Sequence, residues 1–157
     1  LVSPPGRMSV HELKGGVRVL DDSYNSSPPA LKAALETLAM QTGKGRKIAV
    51  LGTMRELGPR EEEIHRGLGG QLKLTGVDLV VGVGKGGGWI ADGAEALGIP
   101  TLRGENAESM GSILLPEILP GDCILLKASR AEGLEAVLAS MLDWARTSPL
   151  EALEASR

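Results

Sequence analysis

Short apolar runs alternate with helical patterns of apolar residues along most of the chain. The apolar runs predict strands at residues 17–20, 47–51, 78–83, 101–102 and 123–127. Between these runs, leucine, isoleucine, alanine and methionine recur at spacings of three and four residues. This periodicity predicts helices through residues 28–40, 59–72, 90–97, 110–114 and 134–142.

A candidate hairpin precedes this alternation. The segments "RMSVHEL" and "VRVL" are separated by Gly15 and Gly16, which is typical of two strands joined by a turn. A hairpin followed by repeated strand and helix units predicts an α/β fold: a Rossmann-like three-layer sandwich with a mostly parallel sheet and helices on both faces. The length fits a single domain over residues 1–157, with a tail expected from Thr147 onward.

The composition narrows the class of protein. A formal net charge of −3 provides no basic surface for nucleic acid, and no apolar run reaches the roughly 18 residues of a membrane helix. The single Cys123 excludes an internal disulfide and is typical of a reducing compartment, so we expect a cytoplasmic protein. The first residue is not Met, and "SPPG" is typical of a linker. We therefore expect further domains upstream.

Polar residues concentrate in the loops that follow the predicted strands. These loops are "DDSYNSSP" (21–28), "GTMRELGP" (52–59), "GVGKGGG" (82–88), "RGEN" (103–106) and "KASRAEG" (127–133). In open α/β sheets, ligands bind outside the carboxyl ends of the strands. The sequence therefore predicts a functional edge formed by these loops.

One glycine-rich loop supports an alternative function. Residues Gly82–Gly87 match G-x-G-x-x-G between a predicted strand and a predicted helix, a pattern that can hold a dinucleotide pyrophosphate. A stand-alone Rossmann-like nucleotide-binding module is therefore one hypothesis. The competing interpretation is a flexible glycine turn, because a chain with 22 glycines produces such matches by chance.

Other kinds of site find little support in the residues. The sequence contains no G-x-x-x-x-G-K-[ST] phosphate loop, and one cysteine with two separated histidines does not predict a zinc site. His65 lies beside an apolar stripe, and packing or solvent contact is its expected role. Cys123, Trp89 and Trp144 are expected to be packing residues.

Four ordered motifs resemble the C-terminal domain of the Mur ligases, in the branch that joins D-alanyl-D-alanine to a UDP-linked tripeptide. They are "PPGRM" (4–8), "DDSYNSSP" (21–28), "AVLGTMRELG" (49–58) and "LLKASRAEGLE" (125–135), and the similarity extends over about residues 4–145. The family usually has D-D-S-Y-N-A-N-P, L-G-D-M-x-E-L-G and K-G-S-R at these motifs. This chain departs from those patterns at Ser26, Ser27, Thr53 and Ala128.

The resemblance implies an ATP-dependent ligase of cytoplasmic peptidoglycan precursor synthesis. In this family a carboxylate of UDP-N-acetylmuramoyl-tripeptide is phosphorylated and then attacked by the amine of D-alanyl-D-alanine. An N-terminal domain holds the UDP-precursor, and a central domain carries the phosphate loop and binds Mg together with most of ATP. Both are expected to be absent from this chain, which should close over ATP and present the dipeptide. The isolated chain should therefore be inactive.

The resemblance also implies which residues bind the nucleotide. Asp22 should accept hydrogen bonds from the ribose hydroxyls, because a carboxylate acts only as an acceptor and suits a vicinal diol. Arg7 should contact the nucleotide from the linker, since a guanidinium suits a phosphate or a purine face. Asp21 is expected to have a turn or helix-capping role outside the site.

The resemblance also implies that residues of three loops contact the dipeptide. They are Asn25, Ser26, Arg55, Glu56, Ser129 and Arg130. Ser129 and Arg130 should hold the carboxylate of the dipeptide by charge-assisted hydrogen bonds. Glu56 is a candidate for its ammonium group. The alternative for Arg130 is an exposed ion pair with Glu132 or Glu135 on the following helix. No catalytic residue and no metal ligand is predicted in this chain.

Overall fold

The computed structural model describes residues 3–148 and has one six-stranded sheet. The strands are β1 (Ser9–Glu12), β2 (Arg18–Asp21), β3 (Lys47–Gly52), β4 (Leu79–Val83), β5 (Thr101–Gly104) and β6 (Cys123–Lys127). Their order across the sheet is β1-β2-β6-β3-β4-β5. The predicted hairpin is confirmed, since β1 is antiparallel to β2, and every other neighbouring pair is parallel.

One or two helices follow each of the strands β2 to β6. They are α1 (Pro28–Ala39), α2 (Glu61–Gly67), α3 (Gly69–Leu74), α4 (Gly84–Glu95), α5 (Ala107–Leu114) and α6 (Glu135–Thr147). Helix α1 begins as the sequence predicts, because Oγ of Ser27 accepts from the backbone N–H of Ala30 at 3.3 Å and Pro28 occupies the first helical position. None of the helices in residues 3–148 is long and apolar enough to cross a bilayer.

The sheet separates two hydrophobic cores. Along β3, Ile48 and Val50 pack into one core with residues of α5 and α6. Ala49 and Leu51 point to the opposite face and pack with residues of α1, α3 and α4. Successive side chains of a strand alternate between faces, so a strand covered on both sides must be apolar throughout. The predicted three-layer α/β fold is therefore confirmed.

The predicted single helix over residues 59–72 is wrong. The chain forms a 3₁₀ turn at Gly58–Arg60 and then α2 and α3, which are separated at Leu68. A Cβ atom on Gly69 would lie 2.4 Å from the carbonyl oxygen of Gly93, and one on Gly93 would lie 2.0 Å from that of Arg66. The two helices thus contact the backbone of α4, which requires glycine at these positions.

The helical periodicity that predicts helices through residues 90–97 and 134–142 includes two leucines that do not pack into the core. Leu97 lies beyond the end of α4 and is 43% exposed, while Leu142 on α6 is 39% exposed. We expected a tail from Thr147 onward, but α6 continues through that residue. Residues 149–157 of the predicted tail lie outside the described residues.

Candidate functional site

The strand order determines which loops meet. Strands β2, β6 and β3 are neighbours, and the loops that leave their carboxyl ends are "DDSYNSSP", "KASRAEG" and "GTMRELGP". The other two candidate loops follow β4 and β5, further along the sheet. Three of the five loops that the sequence singled out therefore converge on one part of the carboxyl edge, and these are the three that carry the family motifs.

Asp21 organises the first of these loops. Its side chain is 3% exposed. Oδ1 accepts from both the backbone N–H and the hydroxyl of Ser23, and Oδ2 accepts from the backbone N–H of Gly6 at 3.0 Å. A buried carboxylate needs such partners, since an unpaired one is costly. The turn role expected for Asp21 is confirmed.

Gly6 ties the segment before β1 to the same loop. Its carbonyl accepts from the backbone N–H of Tyr24 at 2.9 Å, in addition to its own bond to Asp21. The backbone of Gly6 has a φ of +72°, and a Cβ atom there would lie 3.0 Å from the backbone nitrogen of Tyr24. Only glycine fits this conformation and close approach without strain. As a result Arg7, the next residue, is placed beside the loop.

Lys127 fixes the rest of the loop and is the residue that the sequence analysis missed. This lysine, at the end of β6, is 4% exposed. Its Nζ donates to Oδ2 of Asp22 at 2.7 Å, to the carbonyl of Asp22 at 3.4 Å and to the carbonyl of Asn25 at 3.0 Å. Within residues 3–148, no hydrogen bond reaches Oδ1 of Asp22. That oxygen can accept hydrogen bonds from a ligand.

The predicted nucleotide residues line a small cleft. It has a volume of about 220 Å³ and is lined by Gly6, Arg7, Asp22, Tyr24, Asn25, Ser26, Ser27, Ala30 and Lys127. Arg7 and Asp22 thus lie in one cleft, although fourteen residues separate them in the sequence. Pockets that enclose a whole drug-sized ligand usually have about 300–1,000 Å³. The cleft is therefore suited to part of a nucleotide rather than to all of it.

The predicted dipeptide residues line a larger, adjoining cleft. Its volume is about 750 Å³, and its lining residues are Asn25, Ser26, Ser27, Arg55, Glu56, Leu57, Ser129, Arg130 and Ala131. All six predicted residues are among them. The two clefts share Asn25, Ser26 and Ser27 as a common wall. The wall of the larger cleft carries two guanidinium groups and one carboxylate, so it can bind a ligand that has both an anionic and a cationic end.

Ser129 presents a buried donor without a partner. The residue is 2% exposed, and its Oγ has no hydrogen-bond partner among the described residues. Its backbone is fixed, because its N–H donates to the carbonyl of Thr53 and its carbonyl accepts from the N–H of Glu132. Buried hydroxyls are nearly always hydrogen-bonded in native proteins. An orphaned hydroxyl in the lining of a cleft therefore points to a ligand.

Glu56 has an unusual backbone conformation in the same cleft. Its φ is +62°, in the left-handed region that side chains other than glycine rarely adopt. Such a residue costs of order 1–3 kcal/mol and is concentrated at functional sites. The conformation changes the chain direction between β3 and the 3₁₀ turn at Gly58–Arg60, and it places the exposed Glu56 on the cleft wall.

Arg130 does not form the ion pair that we considered as its alternative. No salt bridge joins it to Glu132 or Glu135 within the described residues. The carboxylate of Glu132 instead accepts from the backbone N–H of Thr53 at 3.2 Å. The guanidinium carbon of Arg130 lies 4.8 Å from the centroid of the Tyr24 ring. Its hydrogen-bond donors are thus left for a ligand.

The glycine motif Gly82–Gly87 is used for packing. A Cβ atom on Gly82 would lie 2.2 Å from the carbonyl oxygen of Gly87, and one on Gly87 would lie 2.5 Å from that of Leu51. At the start of α4, a Cβ atom on Gly84 would lie 2.8 Å from a carboxylate oxygen of Glu132. A carboxylate of the protein itself therefore lies close to the N-terminus of α4, where it would repel a bound pyrophosphate. This geometry counts against a dinucleotide site there.

His65 and Cys123 are structural, as the sequence indicates. His65 is fully buried: Nε2 accepts from the backbone N–H of Met54 at 2.9 Å, and Nδ1 donates to the carbonyl of Glu61 at 2.6 Å. Burial raises the pKa of the Cys123 thiol above its ordinary value, while nearby Arg18 and Lys47 lower it less. A thiol with a raised pKa reacts slowly.

No group of three or more potential metal ligands occurs within residues 3–148. Magnesium prefers carboxylates together with phosphate oxygens of its substrate. The carboxylate that lines the small cleft, that of Asp22, is already bonded to Lys127. The described residues therefore do not fit a magnesium site of their own.

Comparison with known proteins identifies similar sequences. The family described as "Mur ligase, glutamate ligase domain" matches residues 6–130. The UDP-N-acetylmuramoyl-tripeptide–D-alanyl-D-alanine ligase of Synechocystis sp. is 34% identical over 139 residues, which cover 88% of this chain and 30% of that protein. The enzyme of the same name from Escherichia coli is 32% identical over 146 residues, covering 90% of this chain and 30% of the relative. The chain thus spans about 30% of the length of these relatives.

Solved structures with similar folds superpose on this chain over most of its length. The MurF ligase of Thermotoga maritima, solved in complex with ADP, superposes with a TM-score of 0.74 at 34% identity. The superposition covers 93% of this chain and 32% of that one. A MurF structure from Acinetobacter baumannii matches with a TM-score of 0.77 at 26% identity, over 90% of this chain and 30% of that chain. The α/β sheet with its N-terminal antiparallel pair is therefore shared with these structures.

Proposed function

The chain belongs to the Mur ligase family, in its glutamate ligase domain, and we propose that it is the C-terminal domain of an ATP-dependent ligase that adds D-alanyl-D-alanine to UDP-N-acetylmuramoyl-tripeptide. The observation that supports this most is the pair of adjoining clefts at the carboxyl edge of the sheet. One is lined by both residues assigned to the nucleotide, and the other by all six assigned to the dipeptide. The remaining domains of the enzyme lie outside this chain.

The small cleft takes the ribose side of ATP. Oδ2 of Asp22 is bonded to Lys127, and Oδ1 remains to accept from a ribose hydroxyl. Arg7 contributes a positive charge at the same cleft. A cleft of about 220 Å³ is small for a whole nucleotide. The resemblance to the Mur ligases implies that the central domain of the enzyme holds the phosphates and the magnesium that neutralises them.

The larger cleft takes the dipeptide in one orientation. Arg130 and the orphaned hydroxyl of Ser129 bind its carboxylate, because a guanidinium fork and a hydroxyl are both donors. Glu56 faces the opposite charge, the ammonium group. Arg55 adds positive charge to the carboxylate side, and Asn25 and Ser26 provide polar contacts on the wall shared with the nucleotide cleft.

Positioning is the contribution of this domain to the reaction. The γ-phosphoryl group of ATP is transferred to the tripeptide carboxylate, and the dipeptide amine then attacks the acyl carbon, so that an amide forms and phosphate leaves. An amine held close to the acyl group reacts far faster than a free one, since orientation alone is worth several kcal/mol. The charged ends of the larger cleft fix the dipeptide by its carboxylate and leave the amine to react.

The test uses the full-length protein that contains this chain. With ATP, magnesium and UDP-N-acetylmuramoyl-tripeptide present, ADP release should depend on D-alanyl-D-alanine, and the product should gain the mass of the dipeptide. Absence of dipeptide-dependent ADP release would refute the proposal. The isolated chain should show no steady magnesium-dependent phosphate release, because its sequence contains no phosphate loop. Isothermal titration of the isolated chain with NAD separates the dinucleotide alternative, which requires tight binding.

A further inference from the structure

Tyr24 contacts two arginines that belong to different clefts. The guanidinium carbon of Arg7 lies 4.0 Å from the centroid of the Tyr24 ring, and that of Arg130 lies 4.8 Å from it. Arg7 lines the small cleft and Arg130 lines the larger one. The two guanidinium groups can be no further apart than the sum of these distances. One aromatic ring therefore links a residue of each proposed binding site.

The Tyr24 ring contacts the guanidinium groups of both Arg7 and Arg130. Within residues 3–148, the side chains of Arg7 and Arg130 form no hydrogen bond and no salt bridge. Each is attracted to the negative face of the ring, an interaction that weakens as the cation moves away. Without such a partner, two long and exposed side chains of like charge would repel each other and adopt many rotamers.

The backbone beneath the ring is fixed. The N–H of Tyr24 donates to the carbonyl of Gly6, and the following Asn25 is held through its own carbonyl by the buried Lys127. The ring itself is 39% exposed, so no burial in the core explains it. Tyr24 lines the small cleft and directly precedes Asn25, Ser26 and Ser27, the wall that the two clefts share. Because its backbone is anchored, the exposed Tyr24 ring can hold the neighbouring side chains of Arg7 and Arg130 in orientations that face ligands.

We propose that Tyr24 is a positioning residue that orients Arg7 toward the nucleotide and Arg130 toward the dipeptide carboxylate. The inference rests on the proposed function and adds that one ring supports both sites. Its removal affects the binding of two chemically different substrates. The ring contacts neither the attacking amine nor the acyl carbon in this assignment, so the turnover number depends on it little.

The first test is steady-state kinetics of the full-length protein. Tyr24→Leu should raise the KM for ATP and the KM for D-alanyl-D-alanine at least threefold each, with kcat changed less than twofold. Tyr24→Phe keeps the ring and should restore both KM values to within twofold of wild type. Leu142→Ala is a matched control, because Leu142 is also 39% exposed but lines neither cleft. It should leave both KM values unchanged.

A double-mutant comparison separates positioning from a general structural role. In an Arg130→Ala background, Tyr24→Leu should add nothing to the dipeptide KM but should still raise the ATP KM. In an Arg7→Ala background, Tyr24→Leu should add nothing to the ATP KM but should still raise the dipeptide KM. A protein that is merely destabilised by Tyr24→Leu would lose both affinities in every background, and that result would overturn the inference.

The outcomes distinguish this inference from the proposed function. Dipeptide-dependent ADP release by the wild type, together with unchanged KM values in Tyr24→Leu, would overturn the role of Tyr24 alone. A wild-type protein without dipeptide-dependent ADP release would overturn the proposed function and this inference with it. A rise in only one KM value would also contradict the inference, since it would show that the ring serves a single site.

Discussion

Nζ of Lys127 lies 2.7 Å from Oδ2 of Asp22, and this pair joins the end of β6 to the loop that follows β2. Lys127 is buried, whereas the side chain of Asp22 is 20% exposed at the edge of the small cleft. The pair thus has a protected cationic side and an accessible anionic side. It fixes one carboxylate oxygen of Asp22, and we propose that the other accepts from the ribose.

Replacement of Asp22 should affect both the nucleotide and the fold. In the full-length protein, Asp22→Ala should raise the ATP KM by about tenfold and the dipeptide KM much less, because a hydrogen bond to a charged group contributes roughly 1.5–3 kcal/mol net. It should also lower the free energy of unfolding by about 1–3 kcal/mol, because Lys127 then carries a buried charge without a counterion. Enzyme kinetics and urea denaturation measure the two effects.

The double variant Asp22→Ala/Lys127→Met separates these effects. Methionine has a similar length and no charge, so most of the lost stability should return while the ATP KM stays high. If the ATP KM returned to normal together with the stability, the ribose assignment of Asp22 would be wrong. If Asp22→Ala left the ATP KM unchanged, the assignment would also be wrong.

Ser129 and Ser23 are two buried serines with opposite surroundings, and their alanine variants should differ accordingly. Ser129→Ala removes a hydroxyl that has no partner in the protein, so the free energy of unfolding should change by less than about 0.5 kcal/mol while the dipeptide KM rises several-fold. Ser23→Ala removes a hydroxyl bonded to the buried carboxylate of Asp21 and should cost about 1–3 kcal/mol of stability. Urea denaturation and dipeptide kinetics of both variants test this. A large loss of stability in Ser129→Ala would mean that the hydroxyl has a partner within the protein.

The fold was largely predictable because its signals are local. A strand such as β3 is apolar on both faces, since helices cover both, and Ser27 with Pro28 marks the start of α1 within four residues. The separation of α2 and α3 was not predictable in this way. Helical periodicity continues through Leu68, and the close contact of Gly69 with Gly93 in α4 joins residues more than twenty positions apart, which no local pattern shows.

Local sequence signals also predicted part of the candidate site. The loops after β2, β3 and β6 are rich in polar side chains, but their convergence depends on the strand order β2-β6-β3, which no local pattern contains. Lys127 was overlooked because it ends an apolar strand and its partner Asp22 is 105 residues away. The glycine motif at Gly82–Gly87 is ambiguous in the sequence, since glycines required for close packing and for phosphate binding have the same pattern.

The raised pKa of Cys123 should appear in the pH dependence of stability. An unfolded cysteine ionises near pH 8.5, and the folded thiol ionises at higher pH because it is buried. Above about pH 8.5 the unfolded state therefore loses a proton that the folded state keeps, so the free energy of unfolding falls as pH rises towards the folded-state pKa. Below that range the thiol has no effect on the slope.

Comparison with Cys123→Ala isolates this contribution. Urea denaturation at pH 7.5 and at pH 10 should show a larger loss of stability on going to the higher pH for the wild type than for the variant. Alkylation of the native thiol by iodoacetamide should also be slower at pH 7.5 than alkylation of the urea-unfolded chain. Equal pH dependence in the two proteins would contradict the raised pKa.

Arg130 provides the most direct test of the dipeptide cleft. The dipeptide carboxylate is a permanent negative charge, and a guanidinium can bind it through two parallel hydrogen bonds without offering an acceptor to the amine. Arg130 forms no salt bridge within residues 3–148 that its removal would break. Arg130→Ala in the full-length protein should therefore raise the dipeptide KM at least tenfold, about 1.4 kcal/mol, while the ATP KM stays near that of the wild type. Arg130→Lys should remain impaired, because an ammonium keeps the charge but not the two parallel bonds. Full recovery in the lysine variant would mean that charge alone is recognised, and near-normal dipeptide kinetics in the alanine variant would exclude Arg130 from the site.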